Sequence, residues 1–296
     1  MRHKIKYSCM LLLTAAIWGS AFVAQRAGME QIGPFTMNSV RSFLGALTLL
    51  PVIMVRERKK QADEKQTDLK TLLTGGICCG LALAVASSLQ QIGLVYTTAG
   101  KGGFITAMYI LIVPIMGLFM KKRAGIKTWI GVALAVVGMY FLCITDGFQV
   151  SYGDMLVFLC AIAFSVHIMV IDYFSPKVDG VKMSCIQFFV CGGVCAVPML
   201  IWERPEIGQI LEAWLPVAYA GILSSGVGYT LQIIAQKELE PTVASLLMSL
   251  ESVFAVLAGC LLLGEQLSLR EAFGCVLMFA AIILAQLPEK AGKSVQ

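Results

Sequence analysis

Charge is scarce in this sequence. Only 14% of its 296 residues are Asp, Glu, Lys or Arg, while 58% are apolar. A soluble domain solvates its surface with charge at about a quarter of its positions, so most of this chain cannot face water. Long polar stretches are missing too. The longest, Arg56 to Lys70, is a charged loop, and nothing is left over for a separate soluble domain. Histidine is limited to His3 and His167, and neither an HExxH nor a paired-Asp motif occurs. That removes the residue clusters an intramembrane enzyme needs, so the chain is expected not to be an enzyme. The net charge of +5 is spread between apolar runs. A nucleic-acid binder gathers its basic residues on one folded face, so no nucleic-acid partner is expected. The ten cysteines are scattered. Cys191 and Cys195 share a helix face, yet no His or second Cys pair completes a metal site. No metal or cofactor is expected, and the cysteines are read as small apolar fillers of helix contacts.

What the sequence has is long apolar runs, at roughly 7–27, 34–55, 71–95, 98–120, 125–145, 151–174, 182–202, 213–236, 242–263 and 270–287. A helical bilayer crossing takes about 20 apolar residues. The runs do not alternate, as strands of a membrane barrel would. The expectation is an all-α integral membrane protein with ten transmembrane helices, the lipid bilayer being its first partner. The amino terminus has the form of a signal peptide: Arg2, Lys4 and Lys6, an apolar core, then small residues from Ser20 to Ala24. The apolar stretch continues beyond that point, which favours a retained first span.

Positive charge on short loops sets topology. With the amino terminus inside, 18 Lys and Arg residues fall on inside segments and only Arg26, Lys101, Arg204 and Arg270 outside. Arg41 lies within a span. Both termini are therefore expected in the cytoplasm.

The first five spans are similar to the second five. At an offset of 146, Leu13 and Ala15 match Leu159 and Ala161, while Trp18, Arg41 and Phe43 fall on Phe164, Gln187 and Phe189. At 142, Leu89-Gln90 matches Leu231-Gln232, and at 143, Gly131 and Leu134 match Gly274 and Leu277. Five is odd, so the second half enters the membrane from the opposite side. The expected organisation is two inverted five-helix repeats, 1–146 and 147–296, as in secondary transporters. Small residues recur every fourth position at Gly76, Gly80, Ala84 and Ser88, a spacing that lets helices approach closely. Pro114 removes a backbone hydrogen bond and is expected to kink the fourth span. The TTAGKGG run ending at Gly103 reads as a flexible lead-in to that span. It is not a phosphate-binding loop, since Gly follows Lys101 where Ser or Thr is needed.

Several segments resemble one known family along nearly the whole chain: AAIWGSAFVAQRAG, FTMNSVRSFLGAL, SLQQIGLVYTTAGKGGFITAMYILIVPIMG, TWIGVALAVVGMYFL and SLLMSLESVFAVLAGCLLLGEQLSLREAFGCVLMFAAIIL. In combination, the WGS element and the LES-VFA run followed by LLLGE are similar to the EamA family of the drug/metabolite transporter superfamily. The resemblance implies a ten-helix permease of the bacterial inner membrane. Its cavity would be lined by spans one, three, four, six, eight and nine, and its cargo would be a small metabolite. Two departures stand out. Ser252 follows Glu251 where the family often has Pro. The first half has Lys121-Lys122-Arg123 where the second keeps a Gly264-Glu265 turn.

Few polar side chains lie inside the spans, and a charge at mid-bilayer costs about 2.5–3.5 kcal/mol. Glu251 could bind an amino group or carry a proton, or be a structural carboxyl. His167 has the chemistry of a proton relay, or is a buried histidine satisfied by one partner. Gln90 and Gln232 are matched amides, suited to substrate or to interhelical bonds. Trp18, Tyr109 and Tyr229 could stack on a substrate or pack. Arg41 and its match Gln187 are read as structural. Asp154 and Asp172, near span ends, are read as solvated. The leading expectation is a secondary transporter working by alternating access on a small metabolite, amino acid-like or an amine, with protons as coupling partner for export and the monomer as functional unit. An uncoupled facilitator is the alternative, and a receptor or scaffold a more distant one.

Overall fold

The structure, a computed structural model, describes residues 2–59, 68–97, 99–120, 125–143, 151–263 and 268–286. Residues 60–67 of the charged loop, Lys121-Lys122-Arg123, the Gly264-Glu265 turn, Lys290 and Lys293 lie outside the described residues.

Lipid offers no partner to backbone N–H and C=O groups, so apolar runs close their hydrogen bonds within helices. The helices follow the apolar runs. They are α1 (Arg2–Gly28), α2 (Pro34–Lys59), α3 (Leu69–Tyr96), α4 (Ala99–Thr106), α5 (Tyr109–Phe119), α6 (Ile126–Cys143) and α7 (Tyr152–Phe174). Then come α8 (Gly180–Pro198), which continues as a π-helical turn over Met199–Glu203, the short α9 (Ile207–Glu212) and α10 (Trp214–Ala218). A π-helical stretch, Tyr219–Tyr229, leads into α11 (Thr230–Gln236), followed by α12 (Pro241–Met248), α13 (Glu251–Leu263) and α14 (Leu269–Gln286). No strand occurs among the described residues. Eight helical stretches among them are long and apolar enough to cross a membrane, and α6 and α14 are helices of 18 residues each.

Polar residues mark the helix ends. Asp68 accepts from the Thr71 N–H at 3.0 Å, and the Thr71 donors hold its carboxyl below the usual carboxylate range. Asp179 accepts from Val181 and Lys182 N–H at 2.9 and 3.0 Å at the start of α8. Such caps satisfy orphan helix donors. Asp154 corrects an expectation. It is buried, accepting from the Ser151 N–H at 2.8 Å and the Thr97 hydroxyl at 2.6 Å. A helix N-terminus and a neighbouring hydroxyl replace the water expected around it.

α2 and α8 run antiparallel and are fastened at both ends. At one end Lys182 pairs with Glu57 at 2.9 Å and Arg56 with Asp179 at 3.6 Å. At the other, the Glu203 carboxylate accepts from the Phe35 and Thr36 N–H groups at 2.8 and 2.7 Å, capping α2 from outside its own chain segment. α3 packs on α7 and α8, and the small-residue stripe is the reason it can. A Cβ on Gly80 would stand 2.7 Å from the Gln187 carbonyl oxygen.

Two helices are interrupted. Turns at 107–108 separate α4 from α5, and turns at 249–250 separate α12 from α13. At both, hydrogen bonds tighten from four residues to three: Met108 N–H to Ile105 C=O at 3.1 Å, and Leu250 N–H to Leu247 C=O at 3.4 Å. The expected kink at Pro114 is thus displaced. α5 runs through Pro114, and the interruption lies upstream of it. The glycine-rich run before it is not a flexible lead-in either, because Ala99–Thr106 is helical. Unpaired backbone is too costly at membrane depth for such a segment to stay open.

Candidate functional site

The two interruptions meet. Tyr109 opens α5 and Glu251 opens α13, 142 residues later, and the Tyr109 hydroxyl donates to Glu251 Oε1 at 3.0 Å. Both side chains are buried and line one central cavity. Its walls come from α1, α3, α4, α5, α7, the π-helical stretch, α11, α12 and α13, with Arg41 of α2 among them.

The WGS element brings α1 to this point. Gly19 lies against α13 so closely that a Cβ there would be 2.6 Å from the Glu251 carbonyl oxygen. Beside it, Trp18 Nε1 donates to the Ser224 carbonyl at 3.3 Å, and Ser20 shares a 2.5 Å hydrogen bond with the Tyr219 hydroxyl. Thr14 donates to the Gly228 carbonyl at 3.2 Å. Both carbonyls belong to the π-helical stretch, and such distortions are frequent at functional sites. Trp18 and Tyr229 pack with ring centroids 4.5 Å apart.

Six of the seven residues read from sequence as substrate-binding or coupling candidates line the cavity: Trp18, Gln90, Tyr109, Tyr229, Gln232 and Glu251. Gln90 Nε2 donates to Thr106 at 3.2 Å and Gln232 Nε2 to Gln236 Oε1 at 2.8 Å. His167 is not among them. It is fully buried, with Nε2 3.1 Å from Gln187 Oε1. Its ring stands behind two cavity-lining aromatics, 6.4 Å from Phe164 and 5.9 Å from Tyr229 between centroids. Glu251 and His167 therefore have different hydrogen-bond partners. Gln187 stays with His167, outside the cavity lining, but Arg41 does not follow its match: it lines the cavity.

Gln25 also lines the cavity, and the sequence reading passed over it. Its signal was the one that drew attention to Gln90: an amide in an apolar run. Among the described residues, no group of three or more His, Cys, Asp or Glu is placed to hold a metal ion. The arrangement offers one carboxylate, one guanidinium, amides and an aromatic wall, which suits a small polar molecule.

The model of the EamA-like transporter family matches this chain twice, over residues 5–144 and 151–287. An uncharacterized transporter of Archaeoglobus fulgidus is 30% identical over 278 residues, covering 94% of this chain and 84% of the relative. The uncharacterized inner membrane transporter YedA of Escherichia coli K12 is 26% identical over 278 residues, 90% of this chain and 87% of the relative. A crystal structure of a protein only 16% identical has the same fold, with a TM-score of 0.77 over 95% of this chain and 96% of the other.

Proposed function

The chain belongs to the EamA-like transporter family and is a membrane transporter, and we propose that it moves a small amino acid-like molecule or amine across the bacterial inner membrane by alternating access, as proton-coupled export. The observation that carries this reading is the Tyr109–Glu251 hydrogen bond, which joins the two helix interruptions beside the cavity. Three-residue hydrogen bonding in mid-helix makes a natural hinge. In this reading α6 and α14 complete ten crossings, five per half, with both termini cytoplasmic as the loop charges require.

The inverted-repeat reading has two supports. The family model matches the chain twice. The helix contacts also exchange as inversion demands: α1 packs on α13 while α7 packs on α4 and α5, and α6 packs on α14. Two similar halves of opposite orientation can trade conformations, so inward-open and outward-open states have similar energy. Glu251 is the coupling group. While it accepts from Tyr109 the hinges are linked. A proton or a cargo ammonium competes for the carboxylate and frees them.

The test is flux in proteoliposomes holding the purified protein, driven by a pH gradient. Wild-type protein is expected to move cargo with the gradient, and Glu251→Gln to lose the gradient dependence. Unchanged, gradient-dependent flux in Glu251→Gln removes that residue from coupling. Wild-type flux indifferent to the gradient makes the protein an uncoupled facilitator.

A further inference from the structure

Arg41 is a buried cation within a membrane helix, only 5% exposed. A charge so placed needs an anion or water. Snorkelling would carry its guanidinium to the interface, which its burial rules out. Among the described residues no acidic side chain pairs with it. Its hydrogen bond goes to a neutral group, with Nη1 donating to Gln25 Oε1 at 2.6 Å.

Gln25 is itself fixed. Its Oε1 also accepts from Gln91 Nε2 at 2.6 Å, and its Nε2 donates to the Ala21 carbonyl at 3.1 Å. Three helices, α1, α2 and α3, thus position the guanidinium without neutralising it. A guanidinium carries five N–H donors in a planar fork that matches a carboxylate at two points. Holding α1 to α2 uses one of them, and the side chain lines the same cavity as Glu251.

A second observation points to a ligand. Gln232 lines the cavity, its Nε2 is committed to Gln236, and its Oε1 is buried with no hydrogen-bond partner. Buried acceptors are rarely left so. The residues of the cavity wall therefore hold unmet donors on Arg41 and an unpartnered acceptor on Gln232, with Glu251 as a second acceptor.

Building on the transport reading above, we infer that Arg41, positioned by Gln25 and Gln91, is an anion subsite that reads a carboxylate on the cargo. The cargo is then a compact zwitterion and not a simple amine. Its carboxylate lies on the fork of Arg41, and its ammonium faces Gln232 and Glu251. The carboxylate contact comes from the first half and the ammonium contacts from the second, so a bound molecule bridges the halves that must move.

The test compares matched pairs, leucine with isopentylamine and phenylalanine with phenethylamine. Binding is read as thermal stabilisation of the full-length protein in detergent, and flux by counterflow in vesicles. Wild-type protein should favour the carboxylated member of at least one pair by about tenfold or more, as a charge-assisted pair of hydrogen bonds provides. Arg41→Gln should abolish that preference while amine binding persists, and Arg41→Lys should keep part of it. Gln25→Glu supplies Arg41 with an internal carboxylate. It should raise the melting temperature yet lose the preference, whereas a purely structural Arg41 would leave selectivity unmoved. Equal loss of both members in Arg41→Gln, a preference that survives Gln25→Glu, or a wild type stabilised by no member of either pair would overturn the inference. Selective binding without flux would leave Arg41 standing and sink the transport reading.

Discussion

Two polar clusters sit on neighbouring helices, Arg41 with Gln25 on α2 and α1, and Gln187 with His167 on α8 and α7. The sequence offset matches Arg41 with Gln187. One cluster holds a charge and opens on the cavity, while the other pairs an amide with an imidazole and lies behind Phe164 and Tyr229. A repeat distributes positions, but the side chain at each position decides whether it faces cargo. In the sealed cluster one amide and one imidazole share a single hydrogen bond, while His167 Nδ1 and Gln187 Nε2 are buried without a partner. The open cluster differs in access: the donors of Arg41 stand on the cavity wall, where a solute can reach them.

That contrast can be broken from either side. The largest effect is expected at Gly19. In Gly19→Ala the new Cβ meets the Glu251 carbonyl oxygen at 2.6 Å and the Ala255 nitrogen at 2.7 Å. Backbone atoms cannot yield as a side chain does, so overpacking costs about 1–3 kcal/mol and displaces Glu251. Flux should fall about tenfold or more; a fully active Gly19→Ala protein would mean that the approach of α1 to α13 does not set the site.

His167→Ala tests the sealed cluster. It strips Gln187 Oε1 of its partner, at about 1–3 kcal/mol of stability, so the melting temperature should drop. Cargo affinity and the pH profile of flux should stay as in wild type. A shift in either would place His167 in the transport path and erase the contrast.

The smallest effect is expected where the helices bearing the clusters are tied. The Lys182–Glu57 pair is partly exposed, with side chains 30% and 46% accessible. Lys182→Ala should lower stability by about 0–1 kcal/mol, and salt should shrink the difference further. A larger, salt-insensitive loss would mean that the α2–α8 pairing depends on that end.

Much of the site was legible before any fold was known. A polar side chain in an apolar run is conspicuous, so Glu251, Gln90 and Gln232 were found by type alone. Gln25 is an amide of the same type, near the end of the first apolar run, and was not singled out. Arg41 is read as structural from sequence, because an arginine two turns into a span is as often a tie or a snorkelling group as a ligand contact, and only the fold puts it on the cavity wall. Pro114 is read as a kink from sequence, yet the interruption falls upstream of it, at Ala107 and Met108.

The sequence by itself determined that this chain lives in a membrane, that it is helical, and which few residues are too polar to face lipid. Those follow from composition and period, because lipid tolerates neither unpaired backbone nor unpaired charge. Only the tertiary structure decided which of those residues meet. It joined Tyr109 to Glu251, turned Arg41 toward the cavity and set His167 behind its wall. The reason is that facing depends on each helix's rotation and neighbours, and those contacts lie far apart along the chain.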